Sequence, residues 1–425
     1  MLPTNDKVEK MGQTIIEKLI SKRIGEKVFA GEEIWCPVDL VMGTDATAPL
    51  AIDIFEKSLI KNVYDSDKIV LVEDHFCPAR DIASANLSLK MREFAHYHKI
   101  SKYYTTGHNG ICHILLPEKG LIKPFDIIVG ADSHTCTYGA LCALAIGIGS
   151  TDMAYAMATG TLWLKVPKTI KVNIIGTKLE HVYAKDIILQ LIKKIGVNGA
   201  NYCSIEFSGN IVSDMSISER LTICNMVAEM GAKCCFMPYD QMTQRYCSQY
   251  KLKNEELIIS DNDAVYKEYI ELDISDMGPQ IACPCSPDNV KDIYEVEGTK
   301  VDQIVIGSCT NGRTEDFIIA YHYLKGNKIS PEVRLIIMPG SQKVVSDLIR
   351  LGIAEEMVKS GAVLCPPTCG PCVGLHMGVL GKNQVGLFTT NRNYFGRNGD
   401  ASSKVYLCSP AVAACSAITG RIQIL

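Results

Sequence analysis

The sequence predicts an α/β fold of about three domains, with sheets flanked by helices. Three observations carry that expectation. Short apolar, β-branched runs recur, among them KIVLVE at 68–73, IIVG at 127–130, TIKVNIIG at 169–176 and VDQIVIG at 301–307. Each has the length and composition of a buried strand. The runs alternate with stretches of helical character, such as 81–98 and 314–324, the latter with Glu315 and Asp316 in its first turn. Such alternation feeds a sheet covered by helices. The 425 residues also exceed a single hydrophobic core, and about three domains is the expectation for that length.

Composition narrows the class. Hydrophobic residues make up 47% and charged residues 21%, the balance of a soluble globular protein. The net charge of −4 gives no general attraction to nucleic acid. Eighteen cysteines with no apolar leader in MLPTNDKVEKMGQ indicate a reducing cytoplasm. No apolar run approaches the roughly 20 residues of a membrane helix, so no membrane partner is expected.

In chain order, residues 7–22 place Val8, Met11, Ile15 and Leu19 at helical spacing and read as an amphipathic helix packed on a core. GEEIWCPVDLVMGTDAT at 31–47 is strand-like and ends in a polar turn, and 48–59 looks helical. The strand at 68–73 runs into Asp74-His75, and a helix follows over 81–98. The strand at 127–130 runs into Asp132-Ser133-His134, with a small-residue helix expected from Gly139. Between them, Gly110 to His113 precede the apolar run ILLP. Charged and histidine side chains thus recur where strands end, the edge at which open α/β sheets bind ligands. Satisfied structural histidines are the plain alternative. The segment GIGSTD at 147–152 lacks the third glycine of a dinucleotide fingerprint, and there is no Walker lysine motif.

Val166-Pro167 closes a first domain, 1–167, and TIKVNIIG opens a second, 168–284. The clearest polar feature of the second is Asn225 and Glu229 in TICNMVAEMGA, four apart on one helical face. A solvated face is the alternative there. Residues 241–256 are polar and expected at the surface. The proline-rich joint Pro284-Cys285-Ser286-Pro287 marks the start of a third domain, 285–425. A strand over 386–390 leads into NRNYFGRNG. There Arg392 and Arg397 suit bidentate capture of carboxylates or phosphate, with plain surface charge as the rival reading. YLCSPAVAACSAITGRI closes the chain as a small-residue helix ending at Gly420.

Two stretches of the third domain carry the chemistry. IVIGSCTNGR at 304–313 sets Cys309 between a strand and a helix, where free backbone N–H groups and the helix dipole favour a thiolate. PPTCGPC at 366–372 carries Cys369 and Cys372 as a C-x-x-C pair after the strand-like GAVLC. Three such thiolates can hold one 4Fe–4S cluster and leave one iron without a protein ligand. An open metal position suits a Lewis-acid catalyst. Spacing alone leaves rivals open. CGPC is also a dithiol redox motif, although thioredoxin-like domains are short and carry it near their start. A zinc ribbon needs a second C-x-x-C, and the sequence has none; Cys283 and Cys285 form a C-x-C. Structural cysteines are a third reading.

SCTNGR, PTCGPC, NRN-x-x-GRN, ADSHTCTYGAL, EDHF and TICN-x-x-AE-x-GA together resemble the aconitase superfamily, from about Gly31 to the C-terminus. Within it, the run DATAPLAI and the compact chain are similar to the large subunits acting on isopropylmalate and homoaconitate. The resemblance implies a hydro-lyase that removes and re-adds water on 2- or 3-hydroxy acids with a 4Fe–4S cluster. It implies Cys309, Cys369 and Cys372 as cluster ligands and Asp74 with His75 as an acid/base pair at the substrate hydroxyl. Two further His–carboxylate pairs follow from it, His113 with Asp132 and His134 with Glu229. Ser133, Arg392 and Arg397 match substrate contacts, and Asn225 and Asn391 match groups bonded around the cluster. Thr44 stands where aconitases carry a glutamine, and Thr137 where they carry an asparagine, which argues against citrate. The implied substrate is a hydroxy dicarboxylic acid: isopropylmalate first, with homoaconitate or dimethylmalate-type acids as alternatives.

The chemistry agrees with that implication. Expelling hydroxide from carbon needs a Lewis acid on the hydroxyl and an acid to protonate it. A histidine held by a carboxylate in a fixed tautomer supplies the second. The base that takes the carbon-bound proton is, in the family, a serine on a fourth, swivelling domain, for which no motif is found here. A separate small subunit carrying that domain is therefore expected. A thiol–disulfide protein using CGPC and an RNA-binding regulatory relative are the competing classes, the latter disfavoured by the acidic balance.

Overall fold

The computed structural model describes residues 12–250 and 256–424. The first region contains strands β1 (Glu33–Pro37), β2 (Leu40–Thr44), β3 (Ile69–Val72), β4 (Tyr103–Tyr104), β5 (Ile127–Gly130), β6 (Leu144–Gly147) and β7 (Thr161–Lys165). Strands β2 to β6 form an all-parallel sheet in the order β4-β3-β2-β5-β6. Strands β1 and β7 pair antiparallel as a separate ribbon. The residues of β3 explain its central place. Val70 and Val72 enter one hydrophobic core while Ile69 and Leu71 enter another, the alternation of a strand covered on both faces. Strand order reverses between β2 and β5. That crevice at the strand C-termini is where open α/β sheets receive ligands.

The second region is a parallel sheet of β8 (Lys168–Ile175), β9 (Cys203–Ser208), β10 (Cys234–Phe236) and β11 (Glu268–Asp273), in the order β10-β9-β8-β11. The third is a mixed sheet of β12 (Gln280–Ala282), β13 (Val290–Asp292), β14 (Gln303–Gly307), β15 (Arg334–Met338), β16 (Val363–Leu364), β17 (Val385–Phe388) and β18 (Lys404–Leu407). Its order is β13-β12-β18-β17-β14-β15-β16, with β12 antiparallel to both neighbours and the other pairs parallel. Here the order reverses between β14 and β17. Strand β12 joins this sheet from just ahead of the proline-rich joint.

The chain departs from the sequence expectations in several places. The helix expected from Gly139 does not form. A 3₁₀ segment over Ser133–Leu141 is followed by β6, and the helix begins only at Ser150. The left-handed backbone of Cys142, φ 61°, breaks the helical path, and parallel pairing of β6 with β5 takes the small apolar residues instead. Asn225 and Glu229 do not share one helix. The helix ends at Met226, and Glu229 lies on the 3₁₀ turn Val227–Met230. Both are buried rather than solvated. His113 is not at a strand end but on the first turn of the helix Cys112–Glu118. Of the amphipathic N-terminal helix, Val8 and Met11 lie outside the described residues; the described helix is Ile15–Ile24, with Ile15, Ile16, Leu19 and Ile20 inside. The polar stretch 241–250 also buries Thr243 and Cys247, and 251–255 lie outside the described residues. No described helix is long and apolar enough to cross a membrane.

Candidate active site

The C-terminal edges of the five-stranded and seven-stranded sheets face each other across a small cavity. On the first edge, Asp45 directly follows β2. Its carboxylate accepts backbone N–H bonds from Asp74 (3.1 Å), His75 (2.8 Å) and Phe76 (2.8 Å), which fixes the turn after β3. Burial, then the neighbouring Asp74, push its pKa up to about 6. Asp74 accepts from the Cys112 amide at 2.8 Å and bonds His75 Nδ1 at 2.7 Å. His75 Nε2 is left toward the cavity, 3.9 Å from Asp132. Burial works against a charge on His75, but Asp74, Asp132 and Asp45 outweigh it and raise its pKa to about 10. At neutral pH it is an imidazolium, a proton donor in place.

Asp132, after β5, bonds His113 Nε2 at 2.8 Å and accepts from the His134 amide at 2.8 Å. His134 Nε2 bonds Glu229 at 2.8 Å. Arg392 Nε donates to both Glu229 oxygens, at 2.8 and 2.9 Å, and its Nη1 reaches Ser133 Oγ at 3.3 Å. Charges of alternating sign thus run from the first region through the second into the third. Burial opposes the charge on both carboxylates. His113 and His134 nonetheless hold Asp132 well below the usual carboxylate range, and His134 with Arg392 lowers Glu229. His134 itself is raised, against burial and Arg392, by Asp132 and Glu229.

On the second edge, Cys309 sits in the single helical turn Ser308–Asn311 immediately after β14, not in an open loop. Gly307 makes that turn feasible. Its φ is 144°, and a Cβ there would lie 2.0 Å from the Met338 carbonyl oxygen. The Cys369–Cys372 loop follows β16 and docks on the backbone of the first edge: the Asp74 carbonyl accepts from the Cys369 amide at 2.6 Å and from Thr368 Oγ1 at 3.0 Å. Asn391, after β17, donates to Cys309 Sγ at 3.3 Å and to Asn225 Oδ1 at 3.1 Å. Asn225 also accepts from Thr310 Oγ1 at 3.0 Å and donates to Thr137 at 2.9 Å. A hydrogen bond from Cys369, aided by Arg397, His134 and Arg392, lowers the pKa of Cys372, while burial raises that of Cys309.

The cavity between the edges is about 180 Å³. Asp74, His75, His113, Asp132, Ser133, His134, Asn391, Arg392 and Arg397 line it together with Cys309, Cys369 and Cys372, and with Cys112 from the first edge. Asn225 and Glu229 stand one layer back, bonded to lining residues. Thr44 does not line it. Its hydroxyl is buried against Thr47 at 3.2 Å. Asp45 and Arg313 escape the sequence reading. The Arg313 guanidinium holds the Cys309 carbonyl at 3.1 Å and Ser218 Oγ at 2.8 Å. The strand-end position of Asp45 was a usable signal, and Arg313 closes the IVIGSCTNGR stretch, whose Cys309 and Thr310 carbonyls its guanidinium holds. A larger crevice of about 650 Å³ lies beyond Arg313. Among the described residues its wall holds no histidine or cysteine, so the chemistry belongs to the smaller cavity.

The donor set fits a sulfur-bridged iron cluster. Three thiols of the second edge, Cys309, Cys369 and Cys372, line the cavity and none is in a disulfide, with the free Cys112 lining it from the first edge. Two further lining residues each keep a buried polar atom without a protein partner, His113 Nδ1 and Arg397 Nε.

A family model described as "Aconitase family (aconitate hydratase)" matches residues 15–298 and 289–420. The chain belongs to the aconitase family, a family of hydro-lyases. It is 50% identical over 412 residues to the 3-isopropylmalate dehydratase large subunit of Caldanaerobacter subterraneus subsp. tengcongensis, covering 97% of this chain and 98% of that protein. It is 48% identical over 413 residues to the protein of the same name from Thermodesulfovibrio yellowstonii, again covering 97% and 98%. Among solved structures, the holo-form of Thermococcus kodakaraensis aconitase X aligns with a TM-score of 0.48 and 14% identity, over 95% of this chain and 97% of that one.

Proposed function

We propose that this chain is the cluster-bearing large subunit of a 3-isopropylmalate dehydratase, interconverting 2- and 3-isopropylmalate by loss and return of water. The observation that carries the hydro-lyase chemistry is the convergence of Cys309, Cys369 and Cys372 with the Asp74–His75 pair in one cavity. The 50% identity to a named large subunit supports the particular substrate.

Cys309, Cys369 and Cys372 hold the cluster. Bound there, it would supply a Lewis acid for the substrate hydroxyl. The remaining steps belong to side chains of this protein. His75, held by Asp74 through Nδ1, gives the Nε2 proton to the departing hydroxyl and takes it back on rehydration. Arg397 and the free edge of Arg392 grip the two carboxylates, with Ser133 alongside. Glu229 holds Arg392 in place through its Nε. Asn391 and Asn225 order the thiol side of the cavity.

Both carboxylates that line the cavity are already bonded to histidines. That supports a base for the carbon-bound proton coming from a separate small subunit, as the relatives' designation "large subunit" also suggests. A dithiol redox function has less support, because Cys369 and Cys372 are both buried and line the same cavity as Cys309.

The test is an anaerobic hydration assay on the reconstituted chain, alone and with its small subunit. The chain alone is expected to be essentially inactive, since effective molarity is lost without a positioned base. Addition of the partner restores turnover of isopropylmalate. Turnover of homoaconitate or dimethylmalate in its place would reassign the substrate, and full turnover by the chain alone would refute the two-subunit reading.

A further inference from the structure

A lysine outside the cavity reaches its most crowded turn. Lys185 lies in the first turn of the helix Ala184–Ile195, which packs in the second region. Its side chain has no solvent exposure. Both placements are unfavourable in themselves. A buried ammonium is costly unless its protons are bonded, and a cation opposes the dipole at a helix N-terminus. The compensation is specific. Lys185 Nζ donates to the Thr389 and Thr390 carbonyl oxygens at 2.7 Å each. These are the last carbonyls before Asn391 and Arg392.

The same pair reaches the neighbouring strand end. The Thr389 hydroxyl accepts from the Gly307 amide at 2.9 Å and lies 3.3 Å from the Gly307 carbonyl. Gly307 is the hinge of the turn that carries Cys309. One ammonium therefore clamps the only two residues between the end of β17 and the side chains that touch Cys309 and Glu229. Without it, two carbonyls at the sheet edge would be buried without a donor, and the turn would be free to rotate them elsewhere.

We propose that Lys185 is a positioning residue for the reaction, setting the Thr389–Arg392 turn so that Asn391 meets the Cys309 sulfur and Arg392 meets the substrate carboxylate. It touches neither substrate nor cluster and acts through the backbone it holds. The proposal rests on the reading of this cavity as the reaction site, but its first test does not need turnover.

That test is hydrogen-exchange mass spectrometry on the single chain, comparing wild type with Lys185→Met and Lys185→Gln. Lys194→Met, which removes an exposed lysine from the same helix, is the control. The expected result is exchange at least about tenfold faster in peptides spanning 389–397 for both Lys185 variants, with peptides over β5 unchanged and Lys194→Met like wild type. In the reconstituted two-subunit enzyme, kcat/KM should fall by about a hundredfold, the scale of a small misplacement, with KM raised and cluster iron retained. Wild-type exchange over 389–397 in a folded Lys185 variant overturns the proposal. So does failure of both Lys185 variants to fold, which would make the residue a structural anchor only. Loss of isopropylmalate turnover in wild type alone would fault the substrate assignment and leave the exchange result standing.

Discussion

The two sheet edges that meet at the cavity use the same topology for opposite chemistry. The five-stranded sheet reverses its strand order between β2 and β5, and the seven-stranded sheet between β14 and β17. Each reversal opens a crevice at the strand ends. The first crevice is filled with carboxylates and imidazoles paired to one another, a proton-handling set whose charges are balanced locally. The second is filled with thiols, amides and arginines, a set that balances only when something anionic or metallic is brought to it. The second region adds no strand edge to the site. Its Glu229, Asn225 and Lys185 lock the two edges in register. A crevice position is thus general, and the residue types placed on it decide the reaction.

The comparison breaks most visibly at the sulfur edge. Cys309→Ser, Cys369→Ser and Cys372→Ser should each remove or severely degrade the cluster and abolish turnover, whereas Cys285→Ser, at an exposed cysteine, should not. Iron analysis of the four anaerobically reconstituted variants decides it, and equal iron in all four would dismiss the assignment.

At the acid–base edge the expected loss is smaller and of another kind. His75→Ala should keep the cluster and lose about 10²–10⁴-fold in kcat, the usual worth of general acid–base catalysis. Near-native kcat would make His75 a structural residue.

Arg397 sharpens the contrast between charge and geometry. Arg397→Lys retains the cation but not the fork. A lost charge-assisted hydrogen bond of about 1.5–3 kcal/mol corresponds to a kcat/KM loss of about ten- to a hundredfold. An unchanged kcat/KM would place Arg397 outside substrate contact.

The smallest effect is on stability. The folded-state pKa of His75, about 10, lies above its ordinary 6.5. Its ion pair with Asp74 therefore stabilises fully below about pH 6.5, and that contribution fades as pH rises through 10. In urea unfolding of the single chain, the gap between wild type and His75→Gln should be widest near pH 6 and narrow by pH 10. A gap that widens with pH would reverse the sign assigned here.

Much of both edges was legible in the sequence, because strand-plus-turn units are local. IIVG followed by Asp132-Ser133-His134, and QIVIG followed by Cys309, announce a strand and what stands at its end. What stayed hidden depends on distant partners. Lys185 shows nothing unusual until Thr389 and Thr390 are placed above it, and the reach of Arg313 to the second region shows only once Ser218 and Thr222 are in place. Residues 139–147 misled because small apolar residues fit a helix and a buried edge strand equally well, and pairing with β5 decided for the strand. Thr44 entered the site through the family resemblance, as the position where aconitases carry a glutamine, yet its side chain turns to Thr47.

The central claim is that the two edges act on one substrate, through an iron left open by three thiols. Mössbauer spectroscopy of the reconstituted chain with its partner tests this most directly. The account predicts one iron site distinct from the others, whose signal shifts when isopropylmalate is added and does not shift in the same way when Arg397 is replaced by lysine. Iron sites that are all equivalent and unmoved by substrate would contradict it.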